Sequence, residues 1–380
     1  MSGAVPEPVS PGRIPGRILV TGAGGFVGGH LLPVLRRHFP AARLIAASRD
    51  GGKHVPGADE TLEMDLLGGD LAGRMREAAP DAVLHLAAQA SVPVSFRDPR
   101  LTWRTNLDGT LALAEAVLEA SPAARFVHVS SAEIYGLSFQ AGVPLTEEAL
   151  PRPANPYAAS KAAADIAIGE MALRGLKAVR MRPFNQTGPG QSDGFVVGAF
   201  AHQVARIAAG KQEPVIRTGA LDRWRDFLDV RDVCEGYALA LAAELAPGTV
   251  INLATGAPRK VGDILEALLA LAGVEARVEQ EASRLRPTDV ERTAGDIGAA
   301  AAAAGLGAAH PVGDHAGRHA GGLADTGGNG GLSGFPGRSQ VGGAETRPAP
   351  GKGTRGLYRG MRWPGCRASE AVFPGDRQVI

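Results

Sequence analysis

Between residues 17 and 296, short apolar runs alternate with longer stretches in which apolar residues recur every three to four positions. The first pattern is typical of buried strands and the second of amphipathic helices. Strands are predicted at residues 17–21, 43–48, 61–65, 82–88, 125–131 and 177–183. Helices are predicted at residues 26–38, 101–120 and 156–174. This alternation predicts an α/β fold with a doubly wound parallel sheet.

After residue 184 the alternation is less regular. Residues 185–194 are rich in Gly, Pro, Asn and Asp, and they predict a loop. Short strands predicted at 213–218 and 249–254 alternate with helical stretches. We therefore expect residues 17–184 to form the sheet domain, with later segments returning to it. Residues 185–296 are expected to form mainly a smaller substrate lobe at the carboxyl edge of the sheet, where ligands bind in such folds.

The two ends of the chain differ from this pattern. Residues 1–16 are rich in Pro and Gly and lack the apolar run of a signal peptide, so they predict a disordered leader. Residues 297–380 contain an alanine run and then Gly-, Pro- and Arg-rich sequence, with glycine at about a quarter of positions against a usual ~7%. Two interpretations fit this low-complexity tail: genuine disorder, or a reading-frame shift in a GC-rich gene.

Charge and cysteine content narrow the class of partner. The chain has 40 basic and 39 acidic residues, a net charge of +1, which favours neither nucleic acid nor an anionic membrane as partner. No apolar run approaches the roughly 18 residues that a membrane helix needs. Cys234 and Cys366 are too few for a disulfide framework or a metal cluster. We expect no bound metal and a reducing, cytoplasmic setting.

The segment TGAGGFVG follows the first predicted strand and opens the first predicted helix. Gly22 permits a tight turn, Gly25 lets the backbone approach a pyrophosphate, and Gly28 permits close packing of helix on strand. The helix start at Phe26 and Val27 offers N–H groups and partial positive charge to phosphates. In this context the motif favours a Rossmann-type site for NAD or NADP over a glycine turn without a ligand.

The residues after the second and third predicted strands bear on the choice of cofactor. The group that meets the adenosine ribose is expected about 20 residues after the glycines. Arg49 would bind the 2′-phosphate of NADP, whereas Asp50 would accept a hydrogen bond from the 2′-hydroxyl of NAD. These cues conflict and lean to NADP. Asp65, followed by Leu66, would reach the adenine amino group or would instead cap the next helix.

A tyrosine and a lysine on one helix supply acid–base chemistry. Tyr157 and Lys161 are spaced i, i+4, so both side chains lie on one face of the predicted helix. Free tyrosine has a pKa of about 10, and we expect the nearby ammonium to lower the pKa of Tyr157 so that it exchanges a proton with an alcohol or carbonyl. Ser130 or Ser131, at the end of the fifth strand, would hydrogen-bond the reacting oxygen.

Seven motifs occur in a fixed order between residues 17 and 296: TGAGGFVG, HLAAQA, TNLDGT, SSAEIYG, NPYAASK, RPFNQTGPGQ and RDFLDVRDV. As a set they resemble the extended short-chain dehydrogenase/reductase family, also known as the NAD-dependent epimerase/dehydratase family, whose members act on nucleotide sugars. The resemblance implies a catalytic triad of Ser131, Tyr157 and Lys161. It also implies a homodimer that pairs through helices 101–120 and 156–174.

The resemblance further implies roles at the cofactor and the substrate. Three residues would line the nicotinamide: Leu86, Ala87 and Ala88. Three residues would bind the sugar nucleotide: Asn185, Arg225 and Arg286. Arg225 would bind the diphosphate, a role that suits a forked and permanently charged guanidinium. Without the resemblance, an isolated asparagine is an ordinary turn residue and lone arginines are mostly solvated.

Within the family, the motifs are similar to those of enzymes that reduce the 4-keto group of GDP-4-keto-6-deoxy-D-mannose to GDP-D-rhamnose with NAD(P)H. The alternatives are GDP-mannose 4,6-dehydratase, another nucleotide-sugar epimerase or dehydratase, and a non-catalytic NADP-binding protein. Glu133 lies where sugar-nucleotide dehydratases have a catalytic glutamate, although reductases often carry an acidic residue there. Dehydratases usually have threonine where this chain has Ser131, and the Tyr–Lys pair argues for an enzyme, so reduction is favoured. In one departure from the family, residues after Asp296 lack its usual Trp- and Leu-rich closing helix.

Overall fold

The computed structural model describes residues 14–49, 53–282 and 290–303, and thirteen strands lie in these ranges. The strands are β1 (Arg17–Thr21), β2 (Arg43–Ser48), β3 (Glu60–Glu63), β4 (Ala82–His85), β5 (Arg125–Val129), β6 (Lys177–Pro183), β7 (Asn185–Thr187), β8 (Val215–Thr218), β9 (Trp224–Arg225), β10 (Phe227–Asp229), β11 (Val250–Leu253), β12 (Arg259–Lys260) and β13 (Arg277–Gln280). Seven of them form a parallel sheet in the order β11-β6-β5-β4-β1-β2-β3. The predicted fold class is therefore confirmed.

Helices connect these strands. The α-helices are α1 (Phe26–His38), α2 (Leu71–Ala78), α3 (Val92–Arg97), α4 (Pro99–Trp103), α5 (Gly109–Ala120), α6 (Pro156–Leu173), α7 (Val196–Ala208), α8 (Val230–Ala242), α9 (Val261–Ala272) and α10 (Gly298–Ala303). A π-helical segment spans Arg104–Asp108, and a 3-10 segment with one kink spans Ala132–Ala141. None of the helices in the described ranges is long and apolar enough to cross a membrane.

Both faces of the parallel sheet are buried, each under its own group of helices. Leu84 and Val127 point into a core that includes residues of α1 and α8. Their chain neighbours Val83 and Phe126 point into a second core with residues of α2, α5 and α6. Successive residues of a strand face opposite sides, so a strand covered on both faces must be apolar throughout. That requirement explains why these strands were recognisable as continuous apolar runs.

A third core holds together the smaller lobe. It joins apolar side chains from α7, β8, β10 and α9, among them Phe200, Ile216, Phe227 and Leu268. The lobe also contains β8 paired with β13 and β9 paired with β12. β10 pairs with β7, which continues directly from the end of the main sheet. This connection places the lobe next to the carboxyl ends of the central strands.

The structure differs from the sequence prediction where distant parts of the chain meet. The helix predicted at 101–120 is interrupted by the π-helical segment, in which buried Asn106 bonds to a loop and to α6. The predicted loop 185–194 contains β7, because these three residues pair with β10. β4 ends at His85, three residues before the predicted end of this strand. The predicted sites Asp50 and Arg286 lie outside the described residues, as do residues 1–13 and 304–380.

Candidate active site

The glycine turn after β1 is shaped by two close backbone approaches. Gly22 has a φ of +69°, and a Cβ there would lie 2.8 Å from the backbone nitrogen of Ala87. A Cβ on Gly28 would lie 2.2 Å from the carbonyl oxygen of Ala23. Gly25 is the N-cap of α1 and provides no side-chain hydrogen bond, so the first N–H groups at Phe26 and Val27 have no side-chain cap. A helix start of this kind suits a phosphate group.

The ends of β1 and β4 meet at one surface. The Thr21 hydroxyl accepts from the backbone N–H of Ala87 at 3.2 Å, and the Thr21 carbonyl accepts from that of Leu86 at 3.3 Å. Leu86, Ala87 and Ala88 are half-buried there. Strand order reverses between β1 and β4, and ligands of open α/β sheets bind at such a reversal. The structure thus brings the predicted phosphate turn and the predicted nicotinamide surface together.

The predicted ribose and adenine contacts lie at the ends of β2 and β3. Arg49 follows β2 and is exposed. Asp65 is also exposed, and its Oδ1 accepts from the N–H of Leu67 at 3.1 Å, which closes a turn. The cap of α2 is Asp70, whose side chain accepts from Gly73. Leu66 is half-buried and packs against the second core.

Ser131 and Tyr157 lie close together at the carboxyl end of β5, near enough for the Ser131 hydroxyl to affect the pKa of the phenol. Ser131 is buried to 8% exposure and lines a cleft. Ser130 is buried, and its backbone N–H donates to the carbonyl of Met181 on β6, while its hydroxyl affects the pKa of Asp165 and does not line the cleft. Of the two serines that the sequence left open, the structure pairs Ser131 with Tyr157.

The protonation of Tyr157 differs from the sequence expectation. Burial raises the pKa of Tyr157 to about 12, the charge of Glu133 adds to this rise, and the hydrogen bond with Ser131 opposes it. Burial lowers the pKa of Lys161 to about 8, while the charge of Asp165 acts in the opposite direction. The Lys161 ammonium donates to the carbonyl oxygen of Val129 at 2.6 Å. Because burial outweighs the opposing effect of Ser131, and the charge of Glu133 acts in the same direction as burial, the expected lowering of the tyrosine pKa does not occur.

The cleft beside this pair is bordered by both lobes. Its walls include Ser131, Glu133, Asn185 on β7 and Arg225 on β9. The guanidinium of Arg225 donates to the carbonyl of Trp224 at 2.8 Å and to that of Glu291 at 3.4 Å. Asn155 also lines the cleft, and its other side chains are mainly apolar or small: Val92, Phe96, Ala132, Phe139, Ala154, Pro183, Phe184, Val290 and Thr293. Such a mixture suits a ligand with one anionic and one weakly polar part.

Three polar residues that were assigned no role from the sequence hold α6 in place. Asn106 donates to the Ser160 hydroxyl at 3.0 Å, and that hydroxyl donates to the Tyr157 carbonyl at 2.8 Å. Asn155 caps α6 by accepting from the N–H of Ala158 at 2.8 Å. An asparagine followed by proline at a predicted helix start is a cap signal that could have identified Asn155.

A buried ion cluster joins α6 to β6. Asp165 accepts from Arg182 at 2.8 and 3.1 Å and from Arg180 at 3.2 Å. Burial alone would raise the pKa of Asp165, but the hydrogen bonds and charge of Arg182, with smaller contributions from Ser130 and Arg180, hold it below its ordinary value. Arg182 also donates to the hydroxyl of Tyr135, so the cluster ties α6 and β6 to the 3-10 segment that follows Ser131.

Residues 18–254 match the NAD dependent epimerase/dehydratase family. This chain belongs to that family. The family resemblance drawn from the motifs is therefore confirmed.

Named relatives within the epimerase/dehydratase family catalyse different reactions. The chain is 40% identical over 281 residues to GDP-6-deoxy-D-mannose reductase of Pseudomonas aeruginosa, which covers 73% of this chain and 88% of that protein. It is 32% identical over 278 residues to UDP-glucose 4-epimerase of Streptomyces lividans, covering 68% and 82%. The structure of RMD from P. aeruginosa complexed with NADPH matches with a TM-score of 0.66 and 36% identity, covering 76% of this chain and 91% of that one.

Proposed function

We propose that this epimerase/dehydratase family member uses NADPH, or NADH, to reduce the 4-keto group of GDP-4-keto-6-deoxy-D-mannose to GDP-D-rhamnose. The observation that carries the proposal is that one cleft is bordered by Ser131, which lies next to Tyr157, and by Asn185 and Arg225 of the smaller lobe. The 40% identity to a GDP-6-deoxy-D-mannose reductase supports this choice of substrate. Residues 17–184 would bind mainly the cofactor and residues 185–296 mainly the sugar nucleotide.

The residues around the glycine turn fit a dinucleotide. The start of α1 has no side-chain cap, so its backbone N–H groups would bind the pyrophosphate. Gly22 and Gly28 permit the tight turn before this helix start, because a side chain at either position would collide with the backbone. Leu86, Ala87 and Ala88 would lie against the nicotinamide, and Asp65 with Leu66 against the adenine. The exposed guanidinium of Arg49 favours NADP through the 2′-phosphate. When bound, the reduced nicotinamide supplies the hydride that C4 receives.

Three side chains would handle the proton. The Ser131 hydroxyl donates a hydrogen bond to the C4 oxygen and places it beside Tyr157. As negative charge develops on that oxygen, the Tyr157 phenol gives up its proton to it. The Lys161 ammonium, fixed by the Val129 carbonyl, stabilises the phenolate that remains and would also hold the nicotinamide ribose.

The substrate lobe would supply the contacts that fix the sugar nucleotide. Arg225 is oriented at the cleft by two backbone carbonyls and would bind the diphosphate. Asn185 borders the same cleft and would hydrogen-bond the sugar. Arg286 is proposed as a second phosphate or ribose contact on the family resemblance alone.

The proposal extends to assembly and location. Apolar side chains on α4 and α6 are exposed, namely Leu101 at 40%, Trp103 at 37%, Ile166 at 60% and Leu173 at 89%. A surface of this kind favours a homodimer that pairs through these helices. A cytoplasmic setting suits both reduced nicotinamide chemistry and the buried free thiol of Cys234.

A second candidate is 4,6-dehydration of GDP-mannose. It is favoured by Glu133, a carboxylate in the cleft close enough to Tyr157 for its charge to raise the pKa of the phenol. Dehydration needs such a base to remove the C5 proton. Simple reduction does not.

A paired assay separates the two candidates. Purified protein is given GDP-4-keto-6-deoxy-D-mannose with NADPH or NADH in one reaction, and GDP-mannose with NADP or NAD in the other. We expect oxidation of the reduced cofactor in the first reaction and no keto sugar in the second. A 4-keto-6-deoxy product in the second reaction, with no oxidation in the first, would establish the dehydratase instead.

A further inference from the structure

Asn155 links the start of the catalytic helix to the carboxylate of Glu133. Its Oδ1 accepts from the backbone N–H of Ala158 at 2.8 Å, and its Nδ2 donates to Oε2 of Glu133 at 3.3 Å. A backbone N–H can only donate, so the cap determines which end of the amide is the oxygen. The cap therefore directs the amide NH₂ group to Glu133.

Glu133 is held in the cleft by hydrogen bonds of its backbone and of its carboxylate. Its backbone N–H donates to the Ser131 hydroxyl at 3.2 Å, so its main chain is fixed beside the proposed site of the C4 oxygen. Its carboxylate is fixed by Asn155. Glu133 lines the same cleft as Ser131, and its charge raises the pKa of the Tyr157 phenol.

A carboxylate that is free to move at this position could act as a base on a 4-keto sugar and cause an unwanted reaction at C5. The C5 hydrogen is next to the carbonyl and is therefore acidic. If Glu133 accepted that proton, the C5–H bond would break, its electron pair would form a C4=C5 double bond, and the negative charge would move to the C4 oxygen. The carboxyl group would then exchange its proton with solvent and return a solvent-derived proton to C5. This would replace the C5 hydrogen and could invert the configuration at C5.

We propose that Asn155 is a specificity-determining positioning residue that holds the Glu133 carboxylate against the start of α6 and so prevents it from removing the C5 proton. The inference rests on the proposed binding of a 4-keto sugar at Ser131 and Tyr157. The amide occupies one oxygen of the carboxylate and fixes its direction. A general base must lie within hydrogen-bond distance of the proton that it removes, so a small displacement of the Glu133 carboxylate is enough to prevent the transfer.

Deuterium uptake at C5 tests this role without relying on turnover. GDP-4-keto-6-deoxy-D-mannose is incubated in D₂O with each variant, with and without NADPH, and C5 deuterium is measured by mass spectrometry and NMR. Asn155→Ser is the main variant and Asn155→Asp the second, because serine and aspartate both keep the helix cap but lack the amide. The double variant Asn155→Ser/Glu133→Gln is the matched control.

We expect wild type to show the exchange rate of the substrate alone. Asn155→Ser is expected to raise the rate at least about tenfold, toward the ~10²-fold that a positioned base contributes. The double variant should return to background. Background exchange in folded Asn155→Ser and Asn155→Asp, or fast exchange in the double variant, would overturn the role of Asn155.

The same experiment distinguishes failure of the proposed function. If wild type does not oxidise NADPH but the exchange pattern holds, the reductase assignment fails and the positioning role stands. If wild type reduces the sugar and no variant exchanges, the reductase stands and the positioning role fails. A protein that neither reduces nor exchanges the sugar in any variant would overturn both.

Discussion

Two residues beside the cleft, Tyr157 and Lys161, are in protonation states that suit reduction. With a pKa of about 12, Tyr157 keeps its proton at neutral pH, and with a pKa of about 8, Lys161 is mostly charged there. Reduction of a ketone consumes one proton in addition to the hydride, and the protonated phenol of Tyr157 can donate it. The charge of Glu133 contributes to this state because it disfavours the phenolate.

Replacement of Tyr157 by phenylalanine removes the proposed proton donor while the ring remains. We expect Tyr157→Phe to lower kcat for keto-sugar reduction by about 10²–10⁴-fold, the usual contribution of a general acid. NADPH affinity, measured by fluorescence titration, should change little. A variant that keeps more than half of wild-type kcat would show that another group delivers the proton.

The pH dependence should report Lys161. As pH rises through about 8, Lys161 loses its charge while Tyr157 is still protonated, so kcat/KM should fall on the alkaline side near pH 8. This parameter reflects the free enzyme, which is the state described. Lys161→Arg keeps the charge at all accessible pH values and should lose this limb, even at reduced activity. An identical limb in Lys161→Arg would assign it to another group.

At the level of elements, local sequence signals were enough where one segment determined the outcome. The bounds of β1, α1, β2 and β6 agree with prediction, because each has an apolar run or stripe closed by a turn signal. The π-helical segment was not predictable, because it depends on bonds of Asn106 to a loop and to α6. The hydrogen bond of Asn155 to Glu133 was likewise invisible in the sequence, since it joins two segments through side chains.

Two adjacent glycines in α1 give a matched test of the phosphate turn. A methyl group at Gly28 would lie 2.2 Å from a backbone oxygen, whereas one at Gly29 would meet no heavy atom within 4 Å. We expect Gly28→Ala to destabilise the fold by about 1–3 kcal/mol, as overpacking usually does, and to weaken NADPH binding. Gly29→Ala should be neutral or stabilising by about 0.4–1 kcal/mol.

Thermal unfolding and cofactor titration of the two variants check this difference. Equal behaviour of Gly28→Ala and Gly29→Ala would mean that the turn adapts to a side chain. It would also remove close packing as the reason for glycine at position 28.

For the whole molecule, the sheet and the smaller lobe meet at a cleft, and we propose a different function for each of its two sides. The residues proposed to bind the cofactor lie at the ends of β1, β2 and β4, whereas Arg225 and Asn185, proposed to bind the substrate, come from short strands of the lobe. The sequence predicted the parallel sheet, because strand–helix alternation limits the possible topologies. It did not predict how Arg225 is oriented, because that depends on the carbonyl of Glu291, 66 residues away.

The proposed homodimer can be tested by placing a charged residue in its interface. Ile166 on α6 is 60% exposed, and we expect Ile166→Glu to yield monomers because a buried carboxylate without a partner opposes association. Leu271→Glu, on α9 at 47% exposure, is the control and should leave assembly unchanged. Sedimentation velocity measures both. A wild-type monomer, or a dimer that tolerates Ile166→Glu, would place the interface elsewhere.

The central claim is that hydride and proton are added across the C4 carbonyl, and label transfer tests it most directly. GDP-4-keto-6-deoxy-D-mannose is incubated with NADPH that carries deuterium at the transferred position, and the sugar product is analysed by mass spectrometry and NMR. We predict one deuterium at C4 of GDP-D-rhamnose for each cofactor oxidised, and none with Tyr157→Phe at equal times. Conversion of the sugar with the deuterium still in the cofactor would contradict the account, because it would indicate an epimerase or dehydratase cycle.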